Sequence, residues 1–171
     1  QANAYYYNGL FRNGSHLVDL LRMFLGDPVS VSGHYNATTS WLPEDKNIDG
    51  YLLYSNDCMV TVQSVVPKYD IFGVHIVGEK GVLDITRSGL IIEYHKRVAD
   101  KRYRGYTQLS SSVASYGADR SMMPNMVRHV VRALRREVSP SGTGDDALCV
   151  LTILDLLRQS TERGGVALSI Q

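Results

Sequence analysis

The sequence predicts an α+β domain built on an open-faced, largely antiparallel (mixed) β-sheet with helices packed on one face. Strand-like segments with a period of two follow one another at short spacing through the middle of the chain, and segments with helical periodicity flank them. The chain has 171 residues, of which 44% are hydrophobic and 20% charged, which is the size and composition of one globular domain. We therefore expect residues 1–171 to form a single domain.

The first predicted helix begins within the segment RNGSH and stops at Gly26, before the pair Asp27-Pro28. Four apolar residues recur along it at helical spacing and predict its buried stripe: Leu17, Leu20, Leu21 and Phe24. The helix should therefore pack through this stripe against the sheet.

Polar residues cluster at the start of this helix. Asn13 or Ser15 is expected to cap it, and Asp19 to lie in its first turn, where negative charge is favoured. His16 stands off the apolar stripe, beside free N–H donors. Because an imidazole donates or accepts a proton near neutral pH, His16 is a candidate acid–base group. The spacing leaves open the alternative that Ser15 or Asp19 simply holds this histidine.

The strands come next, between the first and second helices. Six segments rich in β-branched or aromatic residues are predicted to be strands: 29–35, 50–54, 58–66, 71–78, 82–86 and 90–95. RGYTQLS is a further candidate, and GVALSI closes the chain as another strand. Apolar residues alternate with polar or small ones along the later strands. This alternation predicts that the sheet has one apolar face, which the helices cover. The other face carries mixed residues such as Thr61, Gln63 and His75, and we expect it to pack against another copy.

Two more helices follow the strands. The second should begin near Pro124 and run to about Glu137, with a buried stripe formed by Val127, Val130, Val131 and Leu134. The third begins at Asp145-Asp146 and ends at Gly164-Gly165, and its broad apolar circumference predicts deep burial. Cys58 and Cys149 are interpreted as small buried thiols, reduced in the cytoplasm.

Composition and motifs argue against several functions. Eighteen Lys and Arg against seventeen Asp and Glu give a formal charge of +1, which favours neither nucleic acid nor an anionic membrane, and no apolar segment reaches bilayer length. GTGDDA matches a dinucleotide fingerprint but follows a helix end, and its acids would repel phosphate. We therefore predict no cofactor-binding residues in this chain, and no metal site, because metal-ligand spacings are absent.

A basic face on the second helix supports one rival interpretation. Arg128, Arg132, Arg135 and Arg136 share this face, and the segment KRVADKRYRGY interleaves cations with tyrosines. Such a surface could bind the phosphate backbone of a nucleic acid. The net charge favours a solvated face instead.

Three segments together resemble a known family. GLFRNGSHLVDLLRMFLGDPVSV, VGEKGVLDIT and DDALCVLTILDLLRQSTERGGVALSI are similar, in this order, to the C-terminal domain of the Gfo/Idh/MocA oxidoreductases. The resemblance implies an open-faced sheet that supplies substrate contacts and an oligomer surface. It also implies an N-terminal Rossmann domain, absent from this chain, that binds NAD or NADP.

The resemblance also implies roles for single residues. His16 takes the position of the family's catalytic-site histidine, which assists proton transfer from the reacting hydroxyl or orients it. Many members have an Asp four residues earlier, where this chain has Arg12, and the neutral Asn13 lies beside it. Arg12, Asn13 and Asp19 are candidate substrate contacts, as are Tyr116 and Arg120 in the loop before the second helix. The family's catalytic lysine belongs to the Rossmann domain.

The expected function is therefore that of a substrate-binding and oligomerisation domain of a cytoplasmic NAD(P)-dependent oxidoreductase. It would act on a sugar, cyclitol or nucleotide-sugar, and the 171-residue chain alone would be inactive. The alternative is a non-catalytic ligand sensor or regulator of the same architecture.

Overall fold

The structure, a computed structural model, describes residues 1–66, 71–111, 114–117 and 122–170, and only the backbone of residues 114–117 and Met122. The described residues form ten strands: β1 Ala2–Tyr6, β2 Ser30–Tyr35, β3 Ile48–Leu53, β4 Met59–Ser64, β5 Gly73–Gly78, β6 Gly81–Thr86, β7 Ile91–Ala99, β8 Thr107–Leu109, β9 Ala114–Gly117 and β10 Leu168–Ser169. The helices are α1 Gly14–Leu25, α2 Met122–Leu134 and α3 Gly144–Glu162, with a π-helical turn at Gly9–Asn13 directly before α1.

The strands form one mixed sheet in the order β10-β2-β3-β4-β1-β5-β6-β7-β8, with β9 pairing with β7 beside β8. All pairs are antiparallel except β1 with β4, which is parallel. The predicted α+β class and the largely antiparallel sheet are confirmed.

The central strand of this sheet was not predicted. The segment QANAYYYNG was assigned no strand, yet β1 lies between β4 and β5 and joins the two halves of the sheet. Its alternating residues Ala2, Ala4 and Tyr6 are all buried. β9 was also missed, and the closing strand is shorter than GVALSI, since only Leu168 and Ser169 pair with β2.

α1 and α3 pack side by side on one face of the sheet and enclose the core. α1 buries Leu17, Val18 and Leu21, whereas Phe24, predicted to be buried, is 42% exposed. The buried stripe is therefore rotated toward Val18. Along α3 the core residues are Val150, Ile153, Leu154 and Leu157.

The packing of α3 on the sheet depends on Gly33 in β2. A Cβ at this position would lie 2.8 Å from the Leu157 carbonyl oxygen and 2.8 Å from Ile48. The Gly33 N–H also donates a hydrogen bond to the Ser160 hydroxyl at 3.0 Å. The missing side chain therefore lets helix and strand approach closely.

The predicted burial of the later helical segments was partly wrong. Val127, Val130, Val131 and Leu134 of α2 are 39–79% exposed, because α2 makes no extensive contact with any other described element. On α3, Leu148 and Leu151 are exposed, and so is Cys149, which had been interpreted as buried, while Cys58 is half-buried. The sheet supports only one face of α3, so its opposite face is bare.

The opposite face of the sheet carries a row of polar side chains across neighbouring strands. The Thr61 hydroxyl donates to the Asn3 amide oxygen, and Asn3 pairs in register with His75. His75 Nδ1 in turn lies 2.5 Å from an Asp84 carboxylate oxygen. No described element covers this face, which we call the open face.

Among the helices that the structure describes, none combines the length and the apolar character that a membrane span requires.

Replacing Gly33 with Ala should destabilise the domain by about 1–3 kcal/mol, because the new methyl group overlaps the α3 backbone. Chemical denaturation measures this change in the free energy of unfolding. Gly142→Ala is the matched control, because nothing lies within 4 Å of a Cβ there. Equal stability of the two variants would contradict the close approach of α3 to β2 at Gly33.

Candidate functional site

The start of α1 is held by side chains from a distant loop. The Asp45 carboxylate accepts hydrogen bonds from the backbone N–H groups of Phe11 and Arg12, each at 3.0 Å. The Asn47 amide oxygen accepts from the Gly9 N–H at 2.8 Å. Asp45 and Asn47 are both buried. Because helix starts leave N–H groups without partners, these bonds fix the position of the whole segment before His16.

The predicted caps of this helix were wrong in detail. Asn13 holds the N-cap position of α1 without a side-chain hydrogen bond, and the Ser15 hydroxyl donates to the Arg12 carbonyl oxygen. Asp19 lies beyond the first turn, since α1 starts at Gly14 and the π-helical turn precedes it. The long-range contact from Asp45 takes the place of a local cap.

His16 is exposed and lines a hollow of about 490 Å³, here called the His16 cavity. One wall is apolar and includes Leu20, Phe24 and Phe72. The polar groups of its lining are His16, Asp19, Arg22, Ser88, Ser141 and Asp146. A concave site with an apolar wall and a few polar groups can hold a small polyhydroxylated molecule.

A second hollow, of about 360 Å³, lies between α1 and the start of α3 and is called the α1–α3 groove. It also contains His16 and Asp19, together with Phe11 and Ser15 on the same helical segment. The imidazole thus borders two hollows. A ligand in either hollow can therefore reach the imidazole for proton transfer or hydrogen bonding.

Arg22 fastens the end of α1 to the start of α3. Its side chain is 13% exposed, and it donates to the Asp27 carboxylate and, at 3.0 Å, to the Asp146 carbonyl oxygen. The hydrogen bond to Asp27 raises the pKa of the Arg22 guanidinium, against the opposing effect of burial. At the start of α3, Thr143 and Asp146 exchange hydrogen bonds and form a capping box. The hydrogen bonds that Thr143 donates lower the pKa of the Asp146 carboxyl.

The structure brings together only some of the predicted site residues. His16 and Asp19 line the same two hollows, whereas Arg12 forms a 3.5 Å ion pair with Glu44. Tyr116 lies in β9, where its backbone pairs with Ile92, a residue of the His16 cavity. Its side chain and the whole of Arg120 lie outside the described residues.

Asn13 follows Arg12 at the helix start and is half-buried.

On the basic face of α2, Arg128 donates to Asn125, and Arg132 pairs with Glu137 at 3.5 Å. Within the described ranges, no group of three or more His, Cys, Asp or Glu residues could hold a metal ion.

Sequence reasoning missed Asp45 and Asn47, which set the geometry of the site. They are 33 to 38 residues away from the N–H groups that they bind. A local cap is visible as a spacing of three residues, but an acid in a distant loop gives no such signal. These two residues could be found only from the folded chain.

A family model described as the oxidoreductase family, C-terminal alpha/beta domain, matches residues 9–168. No curated protein sequence matches the chain. Among solved structures, the chain is similar to the WlbA dehydrogenase from Bordetella pertussis in complex with NADH and UDP-GlcNAcA, with 16% identity and a TM-score of 0.68. That comparison covers 99% of this chain and 54% of the other.

Two further structures share the fold. Aldose-aldose oxidoreductase from Caulobacter crescentus, complexed with glycerol, has 14% identity and a TM-score of 0.72, over 99% of this chain and 55% of the other. An oxidoreductase from Agrobacterium radiobacter, in complex with NAD+, L-tartaric acid and magnesium, has 13% identity and a TM-score of 0.68. This comparison covers 98% of this chain and 56% of the other. The chain therefore spans about half the length of these proteins.

Replacing Asp45 with Ala should destabilise the domain by about 1–3 kcal/mol, since two backbone N–H groups at the helix start lose their acceptor. Thermal or chemical unfolding measures the loss. Glu44→Ala, which removes a neighbouring exposed carboxylate, should change stability by less than about 0.5 kcal/mol. If both variants lost the same stability, Asp45 would not have the role assigned here.

Proposed function

The chain belongs to the Gfo/Idh/MocA oxidoreductase family, as its C-terminal alpha/beta domain, and from this premise we propose that it binds the substrate of an NAD(P)-dependent oxidoreductase. The reaction would transfer hydride between nicotinamide and a sugar, cyclitol or nucleotide-sugar. Two relatives of the same fold were solved with NADH and UDP-GlcNAcA, or with NAD+ and L-tartaric acid. These complexes support a nicotinamide cofactor and a polyhydroxylated substrate.

The observation that carries this proposal is the placement of His16. The imidazole is exposed at the border of two hollows, on a helix whose start is fixed by Asp45. A general acid or base needs hydrogen-bond reach to the reacting hydroxyl and a rigid support. His16 would take the proton from that hydroxyl, or orient it. Asp19 and Asn13 would contact the remaining hydroxyls.

The cofactor would be held mainly by another domain. Pyrophosphate binds helix starts with free N–H groups. In this chain Asp45 occupies N–H groups of the π-helical turn that leads into α1, and Asp145 and Asp146 lie in the first turn of α3. These residues do not fit a pyrophosphate. We therefore place NAD or NADP in an N-terminal Rossmann domain, which also supplies the catalytic lysine, and we expect the 171 residues alone to be inactive.

Arg12, Tyr116 and Arg120 complete the proposed substrate contacts. Arg12 would have to leave Glu44 to reach the His16 cavity, and their ion pair is exposed and therefore weak. The backbone of Tyr116 next to Ile92 supports a place for β9 beside the same cavity.

We place the protein in the cytoplasm, which accords with its two free cysteines.

One observation favours a second candidate function. Arg12 stands where many family members carry an aspartate beside the histidine, and its guanidinium is paired with Glu44. A site without that carboxylate suits a regulator that binds a ligand without converting it. Assaying the full-length protein with NAD(P) and a panel of sugars separates the two, because a regulator would bind and show no turnover.

Changing His16 to Ala in the full-length protein should lower turnover at least ~100-fold, the usual contribution of a positioned acid–base group. Steady-state kinetics with NAD(P) and the best substrate measure the effect. His34→Ala, which removes another exposed histidine, is the matched control and should retain turnover. Near-normal activity of the His16 variant would reject the assigned role.

We further propose that the open face joins copies of the protein. Tyr51 is 37% exposed and lies in register with Thr61 on this face. Sheets of this kind bury a bare face by packing against a second sheet.

Tyr51→Arg should therefore give a smaller assembly in sedimentation velocity, because a charge without a partner would be buried between the two sheets. Leu148→Arg, on the bare side of α3, should leave the assembly unchanged. A Tyr51 variant that sediments like the wild type would contradict an interface at the open face.

A further inference from the structure

A hollow of about 370 Å³ lies beside the last turns of α3 and is called here the Tyr35 hollow. Tyr35 ends β2, two residues after Gly33, so its side chain leaves the sheet on the face that carries α3. Ile48 begins β3 and pairs in register with Tyr35. The hollow therefore lies on the helix-covered face of the sheet, where the cover provided by α3 ends.

The interior of this hollow is aliphatic and aromatic. Leu10, from the π-helical turn, is 2% exposed and Ile48 is 4% exposed, and these two side chains form the floor. Phe11 and Tyr35 also line the hollow but are 39% and 45% exposed, and Pro43 adds a further apolar contact. Two partly exposed aromatic rings near a buried aliphatic floor suit a flat apolar group, because aromatic rings pair favourably by stacking or by edge contacts.

Phe11 links this hollow to the candidate site. It lines the Tyr35 hollow and also the α1–α3 groove, which contains His16. Phe11 and His16 are five residues apart on one continuous helical segment, which corresponds to about 7 Å along its axis. A molecule of two linked rings can therefore contact His16 with one ring and enter the Tyr35 hollow with the other.

The charged groups of α3 at the rim of the hollow are paired within the helix. Arg158 forms ion pairs with Asp155, at 2.7 Å, and with Glu162. From the loop before β3, the Lys46 Nζ atom lies 4.9 Å from the centre of the Tyr35 ring. These charges have partners without any ligand, and this arrangement favours an uncharged occupant.

The two acids in the loop before β3 have partners as well. Asp45 accepts from the N–H groups of Phe11 and Arg12, and Glu44 pairs with Arg12 at 3.5 Å. If Arg12 turned toward His16 to contact the sugar, Glu44 would be left as an exposed carboxylate at this rim. Either arrangement disfavours a phosphate group in the Tyr35 hollow, because a neighbouring carboxylate repels it.

We propose that the Tyr35 hollow binds the aglycone of a glycoside, an uncharged aromatic ring joined directly to the sugar that reacts beside His16. This inference rests on the proposed function and narrows its substrate class. The short separation of Phe11 and His16 requires a direct link between sugar and ring. In a nucleotide-sugar, a pyrophosphate and a ribose separate the sugar from the base, so the base would not fit this arrangement.

Calorimetric titration of the full-length protein with paired phenyl and methyl glycosides tests the proposal. Both carry the sugar that the protein turns over fastest in the panel, or glucose if none is turned over. The phenyl glycoside should bind about 10-fold more tightly, the gain expected from burying most of one aromatic ring. Equal affinities would show that the hollow is filled by another part of the full-length protein or takes no ligand, and would overturn the proposal. Tighter binding of UDP-glucose than of the phenyl glycoside would overturn it too.

Variants of Tyr35 locate the effect. Tyr35→Ala should remove most of the preference for the phenyl glycoside and leave methyl glycoside binding nearly unchanged, because Tyr35 is not among the described residues that line the two hollows beside His16. Tyr35→Phe keeps the ring and should keep the preference. Tyr103→Ala, which removes an exposed tyrosine between β7 and β8, is the matched control and should also keep it. An unchanged preference in Tyr35→Ala would contradict binding in this hollow.

The proposed function can fail separately. If the phenyl glycoside is preferred through Tyr35 but no sugar is turned over with NAD(P), the aglycone site stands and the enzymatic role is wrong. If sugars are turned over through His16 with no preference for the phenyl group, the oxidoreductase stands and the aglycone site is wrong.

Discussion

The bond between Asp45 and the backbone at the start of α1 is the constraint on which the proposed site depends. One buried carboxylate accepts from two consecutive N–H groups, and Asn47 accepts from a third. Gly9 makes this approach possible, because it has φ +97° and a Cβ there would overlap the Asp45 carboxylate. Anchoring the helix start in this way gives His16 a fixed position in an exposed place.

The sheet holds the loop that supplies these acceptors. The Tyr6 hydroxyl, at the end of central strand β1, donates to the Ile48 carbonyl oxygen and accepts from its N–H. Burial raises the pKa of Tyr6, so the phenol stays neutral and can make both bonds. Ile48 directly follows Asn47. The same buried tyrosine therefore ties the central strand to the loop that fixes α1, and links the core to the site.

The packing of α1 and α3 on the sheet shapes the surroundings of His16. The hollows arise because α1 and α3 cover only part of the sheet, which leaves Ile85 and Ile92 as the floor beyond α1. The joint between α1 and α3 is made by Arg22, which pairs with Asp27 and donates to the Asp146 carbonyl oxygen. These contacts therefore fix the wall of the cavity beside His16.

The sequence by itself determined the class of fold, the type of most elements and the exposed position of His16. These properties follow from side-chain periodicity and from helix stop signals such as Gly26, which act within a few residues. Only the tertiary structure decided that residues 2–6 form the central strand, that Val127 and Leu134 are bare, and that Asp45 holds α1. Periodicity shows that a helix has an apolar face but not whether another element covers it. Which groups meet depends on the path of the chain across dozens of residues, and this path is fixed by the packing of the whole sheet.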